Sequence, residues 1–415
     1  MRKNLEKYQG IFPAFYACYD ASGAISPDAV RALTEYLLGK GVQGLYVGGS
    51  SGECIYQSVA ERKSVLENVM AVARGRAVVI AHVACNSTAD SMELAAHAEC
   101  LGVDAIASIP PIYFHLPDRA VAKYWNDISS AAPNTDFVIY NIPQLAGVAL
   151  SGSLLRTMLE NPNVIGVKNS SMPVQDIEMW RDEGAIVFNG PDEQLLSGLA
   201  AGAAGGIGGT YGVMPELYLK IYELTMAGKI REALPIQDAC CQVIYRLCSG
   251  QSNMYAMIKE VIRDLGGPDI GDVRAPLYPL QDSDRPIAAE AAEMIRSLSG
   301  MPVEASSLSR PSQHNRTVVG ICPRCGRNVV EGPKSFYCEA YRNQPPCRFA
   351  LWKDNRFFSG KGKQITKRVA EKLLKDGRVH MTKLHSEKTG SDYDAVIVME
   401  DTGEYVNFRL EFDRK

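Results

Sequence analysis

Nothing in this 415-residue chain reads as a membrane span, because no apolar run approaches the roughly 20 residues that a bilayer requires. The opening residues, MRKNLEKYQG, lack the apolar centre of a secretory signal, so the cytoplasm is the expected compartment. A disulfide framework is also missing. Of eleven cysteines, Cys18, Cys54, Cys85, Cys100, Cys240, Cys241 and Cys248 are scattered through apolar surroundings and read as small core residues of a reduced protein. The Gly-x-Gly-x-x-Gly fingerprint of a dinucleotide-binding, doubly wound sheet is absent from residues 11–22, after the first strand-like run.

The composition itself is ordinary for a globular protein, 46% hydrophobic and 22% charged. The length predicts two or three domains. A net charge of −3 conceals a split: residues 315–415 hold 20 Lys and Arg against 13 Asp and Glu, and the remainder holds 24 against 34. Such asymmetry predicts two modules, the second suited to a polyanion. The expected division is 1–299, a small, polar, Pro-containing linker at 300–316, and a module at 317–415.

Through residue 210, strand-like and helix-like text alternates. Short Val- and Ile-rich runs at 10–18, 44–48, 77–83, 105–109, 137–140, 164–168, 185–188 and 204–207 lack polar alternation, as strands buried on both faces do. Helical stripes lie between them, such as Val30, Leu33, Leu37 and Leu38. Eight such units predict a (β/α)8 barrel of parallel strands, with a doubly wound sheet as the alternative. Residues 215–226, 230–247, 253–265 and 288–298 predict a further helical layer, broken at Gly266-Gly267-Pro268.

The sixth run, Val164-Ile165-Gly166-Val167-Lys168, delivers a lysine to the C-terminal end of a buried strand. Desolvation lowers a lysine pKa, and a neutral amine condenses with ketones to a Schiff base. The competing reading is a lysine snorkelling to solvent. Gly48-Gly49-Ser50-Ser51-Gly52-Glu53 offers hydroxyls and backbone N–H groups to a carboxylate, although Ser50 and Glu53 also have the spacing of a helix-starting capping box. Tyr140-Asn141-Ile142-Pro143 places a phenol beside Lys168, either for packing or for proton transfer with Ser50 and Tyr113 as hydroxyl neighbours. Asn189-Gly190-Pro191-Asp192-Glu193 reads as a helix start or as carboxylates for a polyhydroxy substrate. In the last module, Cys322, Cys325, Cys338 and Cys347 have near-ribbon spacing for a tetrahedral zinc. A basic helix at 365–375 and strands at 393–399 and 405–412 follow.

Taken in order, Gly-Gly-Ser-Ser-Gly-Glu, Tyr-Asn-Ile-Pro and Gly-Val-Lys resemble the N-acetylneuraminate lyase and dihydrodipicolinate synthase superfamily over residues 8–299, including Gly271-Asp272-Val273-Arg274-Ala275-Pro276-Leu277. The resemblance implies a Schiff-base, pyruvate-handling barrel. It makes Lys168 the imine lysine, Tyr140 the proton-handling tyrosine, and Ser50 and Ser51 the holders of the pyruvate carboxylate. Tyr113 matches a tyrosine that family members donate to a neighbouring subunit, which implies a homotetramer. Leu145 stands where the synthases place an arginine for a second carboxylate, and Ser170, Gly190, Asp192 and Glu193 match lyase positions for the sugar-acid chain. Against sialic acid itself, Gly209 replaces a serine of the bacterial lyases.

Residues 320–412 resemble a different family, the C-terminal zinc-ribbon repeats of type IA topoisomerases, through Cys-Pro-Arg-Cys-Gly-Arg, Cys338, Cys347-Arg348-Phe349 and Trp352-Lys353. The resemblance implies a structural zinc and a surface for single-stranded nucleic acid, with Tyr337, Phe349, Trp352, Phe357 and Phe358 as stacking aromatics. A purely structural or protein-binding appendage is the plainer alternative. The expected function is therefore a class I aldolase that cleaves or forms a 2-keto sugar acid from pyruvate and an aldehyde. It needs no catalytic cofactor, since the imine is the electron sink. The rivals are a synthase condensing pyruvate with an amino-aldehyde, and a non-catalytic nucleic-acid-binding protein on a barrel scaffold.

Overall fold

The computed structural model describes residues 5–300, 318–332, 334–342, 347–386, 389–403 and 405–412. The expected linker therefore lies, beyond Gly300, outside the described residues. Contacts divide the chain into two compact units, Met1–Arg310 and Pro311–Lys415. Among the described residues, no helix is long and apolar enough to cross a membrane.

The first unit alternates as its sequence predicts: β1 Gly10–Pro13, α1 Pro27–Gly39, β2 Gly44–Val47, α2 Val59–Ala73, β3 Val78–His82, α3 Thr88–Leu101, β4 Ala105–Ser108 and α4 Asp118–Ser130. The second half holds β5 Asp136–Asn141, α5 Pro143–Ala146, α6 Gly152–Leu159, β6 Val164–Asn169, α7 Gln175–Asp182, β7 Ile186–Asn189, α8 Leu195–Ala200 and β8 Gly205–Gly208. All eight strands pair in parallel, in the order β1-β8-β7-β6-β5-β4-β3-β2. A parallel bridge between Ala14 and Tyr46 brings β1 beside β2 and completes a (β/α)8 barrel. Almost every strand residue is buried, because one face meets the helices and the other fills the barrel. Val47, Val79, Ile106, Ile139 and Val167 pack outward under the helices. Phe12, Tyr46, Ile80, Val138, Phe188 and Ile207 fill the interior.

Two local expectations need correction. The first strand stops at Pro13 instead of reaching Cys18, because the chain exchanges ladder partners there: Phe15 N–H donates to Tyr46 O at 2.8 Å and Ala17 N–H to Ser51 O at 3.3 Å. Ser50 and Glu53 do not start a helix. Ser50–Gly52 forms one 3-10 turn, Glu53 enters the left-handed region at φ 54, and the capping box belongs to Ser58 and Glu61 at the head of α2.

After the barrel come α9 Pro215–Met226, α10 Ile230–Leu247, α11 Met254–Asp264 and α12 Arg285–Ser299, the expected helical layer. The second unit contains a four-stranded antiparallel sheet ordered β12-β11-β10-β9, from β9 Val318–Ile321, β10 Asn328–Glu331, β11 Ser335–Cys338 and β12 Ala350–Trp352. Helices α13 Arg356–Ser359 and α14 Lys367–Asp376 follow, then a sheet ordered β13-β14-β15 from Arg378–His385, Asp392–Asp401 and Val406–Glu411. Phe336, Phe349, Leu351, Phe358, Leu373 and Ile397 form its core. Phe349 and Phe358 are fully buried, so neither is available to stack on a base; Trp352 and Tyr341 are half exposed.

Candidate active site

The C-terminal ends of the barrel strands surround a cavity of about 250 Å³, lined in part by Ser50, Ser51, Tyr140, Lys168, Asp192 and Tyr255. Strand register assembles its floor. A shift between Phe137 and Val138 sets Tyr140 of β5 opposite Lys168 of β6. Val167 faces the helices, so Lys168, its neighbour on the pleat, faces inward. The Lys168 Nζ stands 3.9 Å from the centre of the Tyr140 ring and 4.2 Å from that of Tyr46. Burial pulls its pKa from the ordinary 10.5 down to about 7, against the smaller opposing pull of Asp192 and Cys54. Among the described residues lining the cavity, Lys168 is the only cation.

Tyr140 is buried, which pushes its phenol up to about 12, while hydrogen bonds with Ser170 and Ser50 act in the opposite direction. Ser50, at the cavity edge, and Ser51, beneath it, come from the turn after β2. The Ser51 hydroxyl donates to Tyr255 Oη at 3.2 Å. Asp192 follows β7 and is buried; its Oδ2 accepts the Thr210 N–H and hydroxyl, both at 2.6 Å, and Tyr218 lies 2.7 Å from that hydroxyl. Burial raises the Asp192 carboxyl to about 6, with the Thr210 bonds opposing. Glu193 sits exposed on the rim. Gly190 is where the loops after β6 and β7 touch, and an added Cβ would fall 2.0 Å from Ser170 Oγ. Leu145 and Met172 make the rim partly apolar.

Lys168, Tyr140, Ser50, Ser51, Ser170, Gly190, Asp192 and Glu193 thus meet in one cavity. Tyr113 does not join them. It is 86% exposed, has φ 85, and stacks edge-on against Phe114 outside the cavity lining. Sequence reasoning missed Tyr255 and Thr210. Tyr255 lies in a stretch legible only as an amphipathic helix, and Thr210 in a glycine run. Gly209 opens onto the missed residue: a Cβ there would meet Ser51 Oγ at 3.3 Å and Tyr255 Oη at 3.6 Å.

In the second unit, the sulfurs of Cys322, Cys325, Cys338 and Cys347 lie within 4.8 Å of one another, with Cys322 to Cys347 at 3.6 Å and Cys325 to Cys338 at 3.3 Å. Four thiolates around a tetrahedral zinc with bonds of roughly 2.3 Å would stand about 3.8 Å apart, so the donor set fits.

Residues 7–295 match the Dihydrodipicolinate synthetase family. The chain belongs to the dihydrodipicolinate synthetase family. It is 64% identical over 296 residues to the N-acetylneuraminate lyase of Mediterraneibacter gnavus, covering 71% of this chain and 94% of that protein. To the N-acetylneuraminate lyase of Escherichia coli it is 34% identical over 289 residues, 69% of this chain and 97% of the other. The solved catalytic-lysine mutant of the Ruminococcus gnavus sialic acid aldolase superposes with a TM-score of 0.70 at 64% identity, over 71% of this chain and 98% of that one. Within the dihydrodipicolinate synthetase family, whose members use a lysine Schiff base without a metal cofactor, this chain is a class I, pyruvate-dependent carbon–carbon lyase. That excludes the non-catalytic scaffold. The barrel fold and the family resemblance of residues 8–299 hold as expected, and the family match stops short of the second unit.

Proposed function

We propose that this dihydrodipicolinate synthetase family member cleaves a sialic-acid-type 2-keto sugar acid to pyruvate and an aldehyde sugar, with Lys168 as the imine lysine. The observation that carries the reading is the Lys168 amine, held between two aromatic rings with a pKa of about 7 in a cavity with no second cation among its described lining residues. Near neutral pH much of it is a free nucleophile. It adds to the C2 ketone of the open-chain substrate; loss of water leaves the imine, while Ser50 and Ser51 hold the neighbouring carboxylate. Tyr140 takes the C4 hydroxyl proton as the C3–C4 bond breaks, releasing the aldehyde and leaving an enamine. Return of a proton to C3 and hydrolysis then free pyruvate and the amine.

With a phenol near 12, Tyr140 works as a conduit rather than a standing phenolate: it accepts one proton as it passes its own to Ser50 or Ser170. Asp192 and Glu193 would accept hydrogen bonds from the sugar hydroxyls. The exposed Tyr113 supports its assignment to the site of a neighbouring copy in a homotetramer. The synthase alternative needs a cation for a second carboxylate, and Leu145 lies on the rim instead. The test is pyruvate release from N-acetylneuraminate and related 2-keto sugar acids. Turnover confined to condensation of pyruvate with an amino-aldehyde would contradict the reading.

For the second unit the proposal is a ribbon resembling those of type IA topoisomerases, with one structural zinc on Cys322, Cys325, Cys338 and Cys347. Sulfur fills all four positions, which leaves no open site for catalysis. Half-exposed Tyr341 and Trp352, in a segment with excess Lys and Arg, support single-stranded nucleic acid as its partner. Titrating the full chain with labelled single strands should show binding that weakens steeply with salt; salt-independent binding, or none, would remove that assignment.

A further inference from the structure

The turn that carries Ser50 and Ser51 ends on a residue with no part in the chemistry above. Glu53 adopts φ 54 and ψ 34, a left-handed conformation that residues other than glycine seldom occupy. Its carboxylate is fully buried, and so is the ammonium group 3.2 Å from its Oε1, that of Lys259. The remaining partners are equally specific. Glu53 Oε2 accepts the Arg274 N–H at 2.9 Å, and Lys259 Nζ also donates to Asp272 O at 2.7 Å. Neither Glu53 nor Lys259 lines the cavity.

Lys259 belongs to α11, and one helical turn before it on the same face is Tyr255. Tyr255 receives the Ser51 hydroxyl while Lys259 holds Glu53, so a single helix outside the barrel grips both ends of residues 51–53. A buried ion pair is a poor way to gain stability, since apolar residues of similar volume often do as well or better. What an ion pair adds is a fixed place and direction for the groups it joins.

We propose that Lys259 and Glu53 are positioning residues for the lyase reaction: with the Tyr255–Ser51 hydrogen bond, their ion pair lets α11 set the Ser50–Ser51 turn where it grips the substrate carboxylate opposite Lys168. The proposal rests on the reading that Ser50 and Ser51 hold that carboxylate. It makes α11 part of the site, although the helix lies about 50 residues beyond the last barrel strand. It also accounts for the backbone at Glu53: the left-handed turn swings the carboxylate away from the cavity and toward α11.

The experiment measures condensation by the full chain at varied pyruvate, together with thermal melting, for Glu53→Gln, Lys259→Met, the double variant Glu53→Gln/Lys259→Met, and Ser51→Ala. Each single clamp variant should raise the pyruvate KM about tenfold or more, with kcat and the aldehyde KM changing by less than about threefold, because a displaced cradle weakens carboxylate binding above all. The double variant removes both charges, so it should melt near the wild type and still show the raised pyruvate KM. A role in stability alone predicts the reverse, a pyruvate KM restored along with the melting temperature, and that result overturns the proposal. Ser51→Ala separates the two readings. If it raises the pyruvate KM and the double variant does not, the positioning role of the Lys259–Glu53 pair is wrong and the carboxylate cradle stands. If it leaves the pyruvate KM unchanged, the carboxylate cradle is wrong and the clamp falls with it.

Discussion

Replacing Lys168 with methionine removes a cation that the barrel holds under strain while keeping most of its volume. Burial lowers the amine from 10.5 to about 7, which at about 1.4 kcal/mol per pH unit is on the order of 5 kcal/mol against the charged form. Attraction to the faces of Tyr140 and Tyr46, about 2 kcal/mol for a desolvated pair, offsets part of it. Below about pH 7 folded and unfolded chains both carry the proton, and the full cost is present. Between about 7 and 10.5 the unfolded chain holds a proton that the folded one has released, so wild-type stability climbs with pH across this window and the cost is gone above it. Lys168→Met should therefore be about 2 kcal/mol or more stabler than the wild type at pH 6.5, with the gain fading toward zero near pH 10.5. Urea unfolding followed through the buried indoles of Trp125 and Trp180 reads the barrel directly. A variant no more stable than wild type at pH 6.5, or a gain that ignores pH, would refute the argument that Lys168 is a destabilised amine.

Three further outcomes are expected. Tyr140→Phe should lower kcat by about 10²- to 10⁴-fold, the usual worth of positioned proton transfer, while imine formation on Lys168 persists in a trapping assay. Asp192→Asn keeps the shape but weakens acceptance from Thr210 and the substrate; it should raise the sugar-acid KM much more than the pyruvate KM, and equal changes would reduce Asp192 to a structural residue. Removing zinc with a chelator should unfold residues 318–412, whose core is small, and leave lyase turnover unchanged; elemental analysis and circular dichroism follow the first, pyruvate release the second.

The barrel was legible because strands buried on both faces cannot alternate: residues 164–167 and 78–81 appear as continuous apolar runs, bounded by helices with clear stripes. The motifs at strand ends were legible for the same reason, since the end of each run says which side chains reach the mouth. Less could be read where tertiary approach decides. Ser51 meets Tyr255 across 204 residues and Glu53 meets Lys259 across 206, and no local pattern reports either contact. Strand Arg378–His385 went unseen because among its eight residues only Val379 and Leu384 are fully buried, too few for a period of two to show. The aromatics of the second unit illustrate the converse: the resemblance implies stacking roles for Phe349 and Phe358, yet a fold this small needs them inside.

Borohydride reduction in the presence of pyruvate tests the central claim most directly. If Lys168 is the nucleophile, reduction traps the imine as a secondary amine, adds one pyruvate-derived mass to the peptide spanning 164–171, and abolishes turnover, while Lys168→Met takes up no label. Label on Lys259 or any other lysine, or inactivation without added mass, would contradict the mechanism.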